Sequence, residues 1–171
     1  MRKHFFLFLF ITSFSFILTK AEAQKDYKPG ILLMLQYSDT DFKSILGSKL
    51  SEEPDIESAN YAPTEKIGIG SEKIVRSNNS DMSFYTCTLS LVDASKLIND
   101  VLELANDYVK KGIFTGEDLT DGKGKTVTVI KNKEGHEIMK IISRYVKDDS
   151  DENNYFAIVI YGKSLRTKMA E

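Results

Sequence analysis

The chain has 171 residues, with 23 basic and 25 acidic side chains, two histidines, one cysteine and a net charge of −2. A near-neutral balance without a basic stripe of interleaved aromatics lacks the electrostatic footprint of nucleic-acid binding. The lone Cys87 excludes an internal disulfide, and the histidine–cysteine zinc sets have too few ligands to form.

The N-terminus divides into a basic tip (Arg2, Lys3), an apolar run from Phe5 to Leu18 and a short polar exit with Ala21 and Ala23 in an A-x-A pattern. The run falls short of the roughly 20 residues a membrane-spanning helix needs. Residues 1–23 therefore read as a cleaved signal peptide with Gln24 as the new N-terminus. The expected product is an exported, soluble protein of the periplasm or extracellular space, with no stable membrane span. Loss of those 23 residues leaves 148 and changes the balance to 20 basic against 24 acidic groups, net −4. That length suits one domain held by an apolar core, and Cys87 is expected to be a small buried hydrophobe in that core.

Residues 24–30, ending in Pro29-Gly30, read as a flexible leader. Ile31–Tyr37 (ILLMLQY) is apolar almost throughout and is taken as a strand. Phe42, Ile45, Leu46, Lys49 and Leu50 fall at helical spacing behind a capping arrangement, which predicts a helix over about Asp39–Leu50. Ser51–Thr64, with Pro54 and Pro63, reads as a long loop. Glu65–Arg76 reads as a strand in which Gly68 and Gly70 mark a bulge or a close backbone approach. Turn residues Ser77–Asp81 then lead to a strand over Met82–Val92, with Tyr85, Cys87, Leu89 and Leu91 on one face and Thr86, Thr88 and Ser90 on a wet one.

Leu97, Ile98, Val101, Leu104, Ala105, Tyr108 and Val109 set a helix over Ala94–Lys111, ended by Gly112. Ile113–Lys125 reads as a Gly- and Asp-rich connection. Thr126–Lys131 and His136–Val146 flank Asn132–Gly135 as a hairpin. An acidic loop, Asp148–Asn154, precedes a last strand over Tyr155–Tyr161, and residues 164–171 read as a frayed tail. The expected fold is α+β: one domain over 31–163, order β-α-β-β-α-β-β-β, with a largely antiparallel sheet of five or six strands and two helices on one face. It contains the split pattern of a ferredoxin-like core. The sequence has no internal repeat.

Chemistry is sparse. Cleavage leaves His136 as the sole histidine, at a hairpin tip where imidazoles are ordinarily solvated. Gly122-Lys123-Gly124-Lys125-Thr126 ends like a phosphate-binding loop, but Leu119 stands where its first glycine belongs, and a strand follows instead of a helix. Asp149, Asp151 and Asn153 occupy the first, third and fifth positions of a calcium loop, yet Asn154 replaces its glycine and Ile160 its glutamate. That segment reads as a charged turn. Tyr145, Tyr155, Phe156 and Tyr161 read as sheet packing. No catalytic, cofactor-binding or metal-binding residue is assigned, and no cofactor. The expected function is a non-enzymatic exported domain that binds a protein, as an inhibitor, immunity-type or envelope accessory factor, through the polar sheet face or the Ser51–Thr64 loop. A carrier of a small apolar ligand, with a pocket between helices and sheet, is the alternative. A hydrolase using a carboxylate pair is the third.

Overall fold

A computed structural model describes residues 25–120, 124–146 and 154–170. Helix α1 (Lys28–Ser38) is followed by strands β1 (Leu46–Glu53), β2 (Ser58–Pro63), β3 (Ser71–Ser77) and β4 (Ser83–Ser90). Helix α2 (Ser95–Lys110) is followed by β5 (Phe114–Thr120), β6 (Lys125–Asn132), β7 (Glu137–Arg144) and β8 (Tyr155–Tyr161), and α3 (Lys163–Met169) closes the described chain. The eight strands form one antiparallel sheet in the order β1-β2-β3-β4-β8-β7-β6-β5. The chain is thus two helix-plus-four-strand meanders joined along their last strands. Phe84 faces Tyr161 and Ser90 faces Tyr155, with Cys87 opposite Ile158 midway. Antiparallel pairing of equivalent strands creates a local two-fold axis through the Cys87–Ile158 pair, a repeat of topology unaccompanied by any repeat of sequence.

The α+β class and antiparallel sheet agree with expectation, while the element list is corrected at several points. Ile31–Tyr37 is helical: Ile31, Met34 and Ser38 are buried on one stripe, so the apolar run is a helix lodged between sheet and α2. The helix expected over Asp39–Leu50 is absent because Asp41 and Phe42 adopt left-handed backbone (φ 53° and 56°), and Leu46 opens strand β1. Its apparent helical spacing comes from the 3-10 turn Lys43–Ile45, which drives Phe42 and Ile45 into the core. Ser51–Thr64 is not a loop. It holds the end of β1, a 3-10 turn at Pro54–Ile56 and all of β2. Ile113–Lys125 likewise contains β5. Of the three missed strands, β1 and β5 lie at the sheet edges and are largely exposed, which removes the alternation that marks a half-buried strand, while β2 is buried along most of its length and shows no alternation either. With Ile31–Tyr37 removed and β1, β2 and β5 added, the sheet reaches eight strands, and the ferredoxin-like order gives way to the two meanders.

One face of the sheet carries Ile74, Tyr85, Cys87, Leu89, Met139, Ile141, Phe156, Ile158 and Ile160 against Ile31 and Met34 of α1 and Leu97, Val101, Leu104 and Ala105 of α2. The helix spacing and the β4 alternation named this core correctly. Gly70 (φ 70°) lies so near β4 that a Cβ there would sit 2.5 Å from the Thr88 carbonyl oxygen, the close approach expected of it.

Three carboxylates attach what the sheet ladder cannot hold. Asp100, buried in α2, accepts the Tyr27 amide at 2.8 Å and pairs with Lys96. Residues 25–30 are therefore docked and helical from Lys28, correcting the expected leader. Glu72 accepts the amides of Ile67, Gly68 and Ile69 at 2.8, 2.7 and 2.9 Å together with the Tyr85 hydroxyl. Buried Asp41 accepts the Ser164 amide and hydroxyl at 2.8 and 2.7 Å, and the Ser83 hydroxyl donates to its carbonyl at 3.0 Å. Ser164 lies in the first turn of α3, so Asp41 satisfies an otherwise unpaired helix amide from 123 residues away. The expected frayed tail is this docked helix.

Replacing Asp41 by Ala leaves the Ser164 amide and hydroxyl without their acceptor, and a loss of about 1–3 kcal/mol is expected. Urea unfolding measures it. Ser164→Ala, which keeps the amide bond, should cost about 1 kcal/mol or less; equal losses in the two variants would show that the amide bond contributes nothing.

Candidate functional site

A concavity opens on the helix side of the sheet, between α1, the end of α2 and α3. Its volume is about 260 Å³, and it is lined by Leu32, Leu35, Gln36, Ser38, Asp39, Tyr108, Phe114, Asn132, Ile138 and Arg166. Each lining side chain is placed by a local rule. Leu35 and Gln36 lie three and four residues beyond Leu32, so α1 turns them to one side. Tyr108 in the last turn of α2 and Phe114 at the start of β5 stack with ring centroids 4.9 Å apart and an interplanar angle of 25°. Ile138 reaches inward because the β6–β7 register shifts beside it: Ile130 pairs with Met139 but Lys131 with Glu137, leaving Ile138 as the extra residue of a bulge. It is buried to 4% exposure.

Arg166 supplies the cation. α3 carries it to the rim, and the Asp41–Ser164 bonds fix where α3 begins. Its Nη2 lies 2.7 Å from Asp39 Oδ1, with side-chain exposures of 14% for the arginine and 70% for the aspartate. An ion pair whose acid stands in solvent contributes about 0.2–1 kcal/mol. A second cation, Lys111, lies over the Tyr108 ring, 5.7 Å from its centroid. The groove thus combines an apolar floor (Leu32, Leu35, Tyr108, Phe114, Ile138) with a mostly buried guanidinium at its rim.

The candidates named from sequence lie elsewhere. His136 sits in the β6–β7 turn, its amide donating to Asn132 Oδ1 and its Nδ1 3.7 Å from Glu134, an arrangement suited to closing a turn. Lys125 and Thr126 open strand β6, so no helix N-terminus follows the Gly-Lys-Thr run; Gly122 and Lys123 lie outside the described residues. The acidic loop with Asp149, Asp151 and Asn153, and the signal segment 1–23, also lie outside them. Among the described residues no helix is long and apolar enough to cross a membrane, and no cluster of three potential metal ligands occurs.

The helix-free face of the sheet is less polar than β4 alone suggests. Thr86, Thr88 and Ser90 are joined there by Val159, Ala157 and Tyr155 of β8 and Ile142 of β7, which are their register partners or lie one strand further on. Tyr155 and Tyr161 share this face, whereas Phe156 points into the core and Tyr145 is exposed. Neither Asp39 nor Arg166 was singled out from the sequence. The pair is separated by 127 residues, and only the docking of α3 brings it together.

Cys87 occupies the buried position expected of it, with Sγ 3.0 Å from the Ile69 carbonyl. Burial pushes its thiol up to about 12, with the Glu72 carboxylate adding to the shift. Burial and then the bond to Glu72 raise neighbouring Tyr85 well above its ordinary value. The thiol should react slowly with alkylating reagents in the native protein and fully in denaturant. Groups raised on folding contribute stability that is complete below their unfolded value and lost as pH climbs. The urea midpoint should therefore hold to about pH 9 and fall towards about 12, less steeply in Cys87→Ala; a midpoint flat across that range contradicts the assignment. No protein-family model matches the chain, and neither a curated protein nor a solved structure is significantly similar to it.

Proposed function

We propose that this is an exported binding domain whose ligand, a small molecule with an apolar body, seats in the groove between α1, α2 and α3. The observation that carries the reading is the convergence of Leu32, Leu35, Tyr108, Phe114 and Ile138 on one concavity with a few polar groups at its rim. Small-molecule sites have this constitution, apolar walls supplying affinity and a few polar groups fixing orientation. Of the two binding functions expected from sequence, the groove favours the carrier. Protein binding through the helix-free face keeps one supporting observation. Its apolar row of Ala157, Ile142 and Val127, in register on adjacent strands, reaches Leu119, half exposed at the β5 edge.

The neutral fluorophore N-phenyl-1-naphthylamine tests the reading. It should bind at a single saturable site on the native protein, and Leu35→Glu, which puts a charge on the groove floor, should weaken binding at least tenfold with little change in melting temperature. Unchanged binding in that variant, or none in the parent protein, removes the groove as the site. For export, N-terminal sequencing of the secreted protein should begin at Gln24; a retained Met1 defeats that part of the proposal.

A further inference from the structure

Building on the groove as the binding site, we propose that its ligand ends in an anion, a carboxylate or a group of like geometry, which the Arg166 guanidinium receives by displacing Asp39. The pair is asymmetric. Arg166 is 14% exposed at the rim of an apolar groove, while the carboxylate facing it is 70% exposed. Asp39 caps the end of α1, its amide bonded to the Gln36 carbonyl, so that helix end does not require its carboxylate. The side chain is free to swing into water without disturbing the backbone beneath it.

A ligand already lying on Leu32, Leu35 and Phe114 would present its head group to the same guanidinium from the drier side. There the dielectric is lower and a charge-assisted, two-pronged hydrogen bond is stronger than the solvent-screened pair it replaces. The planar fork of arginine suits this exchange, since it donates to both oxygens of one carboxylate. Charge count agrees. Among the described residues, Arg166 and Asp39 are the only charged ones lining the groove, and once Asp39 has swung away a monoanion meets net positive charge. Asp39 thus acts as a built-in competitor that holds the cation in the empty protein and sets a threshold for the ligand.

The test compares two dyes with one anilinonaphthalene body: neutral N-phenyl-1-naphthylamine and 8-anilino-1-naphthalenesulfonate, which adds an anion. The parent protein should bind the sulfonate at least fivefold tighter. Arg166→Gln should bring the ratio of the two affinities to about one, Arg166→Lys should retain only part of the preference, and Asp39→Asn should raise the ratio severalfold in favour of the sulfonate. Equal affinity for both dyes in the parent protein overturns the proposal and leaves the groove reading intact. So does a parallel loss of both dyes in Arg166→Gln, or a ratio that falls or stays constant in Asp39→Asn. Failure of both dyes to bind the parent protein defeats the groove reading itself.

Discussion

The architecture rests on the antiparallel pairing of β4 with β8. Each meander alone is a helix over a four-stranded sheet with an open edge on its last strand, and an unpaired edge at the centre of a small domain leaves a row of backbone donors and acceptors to be satisfied. Joining the two edges removes both. It also leaves both helices over one face of a continuous sheet, where they share a core with Tyr85, Cys87, Ile158 and Ile160 at its middle. Cys87 pairs with Ile158 at the local two-fold axis, and its Sγ lies 3.0 Å from the Ile69 carbonyl, an approach that suits a small side chain. A larger one would have to fit directly against its neighbours in a region packed like a crystal.

Ladder pairing leaves the segments outside the strands unattached, and carboxylates attach them. Asp100 holds the entry to α1, Glu72 gathers three amides of the β2–β3 connection, and Asp41 holds α3. Each carboxylate satisfies backbone groups that would otherwise remain unpaired. The resulting dependence is directional. Arg166 stands at the groove only because α3 is docked, and α3 starts where it does through Asp41. Asp41 in turn points at Ser164 because the chain adopts left-handed backbone at residues 41 and 42. A local break in helical conformation near one end of the chain thereby positions a charge contributed by the other.

The sequence disclosed those parts of the fold in which burial is one-sided. The stripe Leu97, Val101, Leu104 and Ala105 and the alternation Tyr85, Cys87, Leu89 carry the periods of their elements because one side of each faces the core. At β1 and β5 the signal vanished, since residues such as Leu50 and Leu119 are exposed at 58% and 50% and an edge strand imposes no alternation. α1 failed for another reason: a short apolar run fits a buried strand and a buried helix equally, and only Ser38, four residues beyond Met34, continued its stripe. The groove was legible in fragments. Leu32, Leu35 and Tyr108 lie in segments recognised as apolar, but assigning Ile31–Tyr37 to a strand hid the fact that Leu32, Leu35 and Gln36 share a side. The Asp39–Arg166 pair left no local trace.

The two meanders share a strand plan but close it differently, which explains why a groove exists on one side. In the first, the connection between β2 and β3 is long and folds inward. Ile67 is buried to 4% exposure, Ile69 packs against the same core, and Glu72 pins the amides of this segment. In the second, the equivalent connection between β6 and β7 is the tight turn Lys133–His136, held by Asn132 through the amides of Glu134 and His136. It sends no side chain back over the sheet. Of the apolar groups at that end of the fold, Ile138 is buried, while Tyr108 and Phe114 remain only partly covered. An apolar floor kept open at one of two equivalent positions, with Arg166 brought to its rim by a dedicated helix, is the arrangement expected where the missing cover is supplied by a ligand.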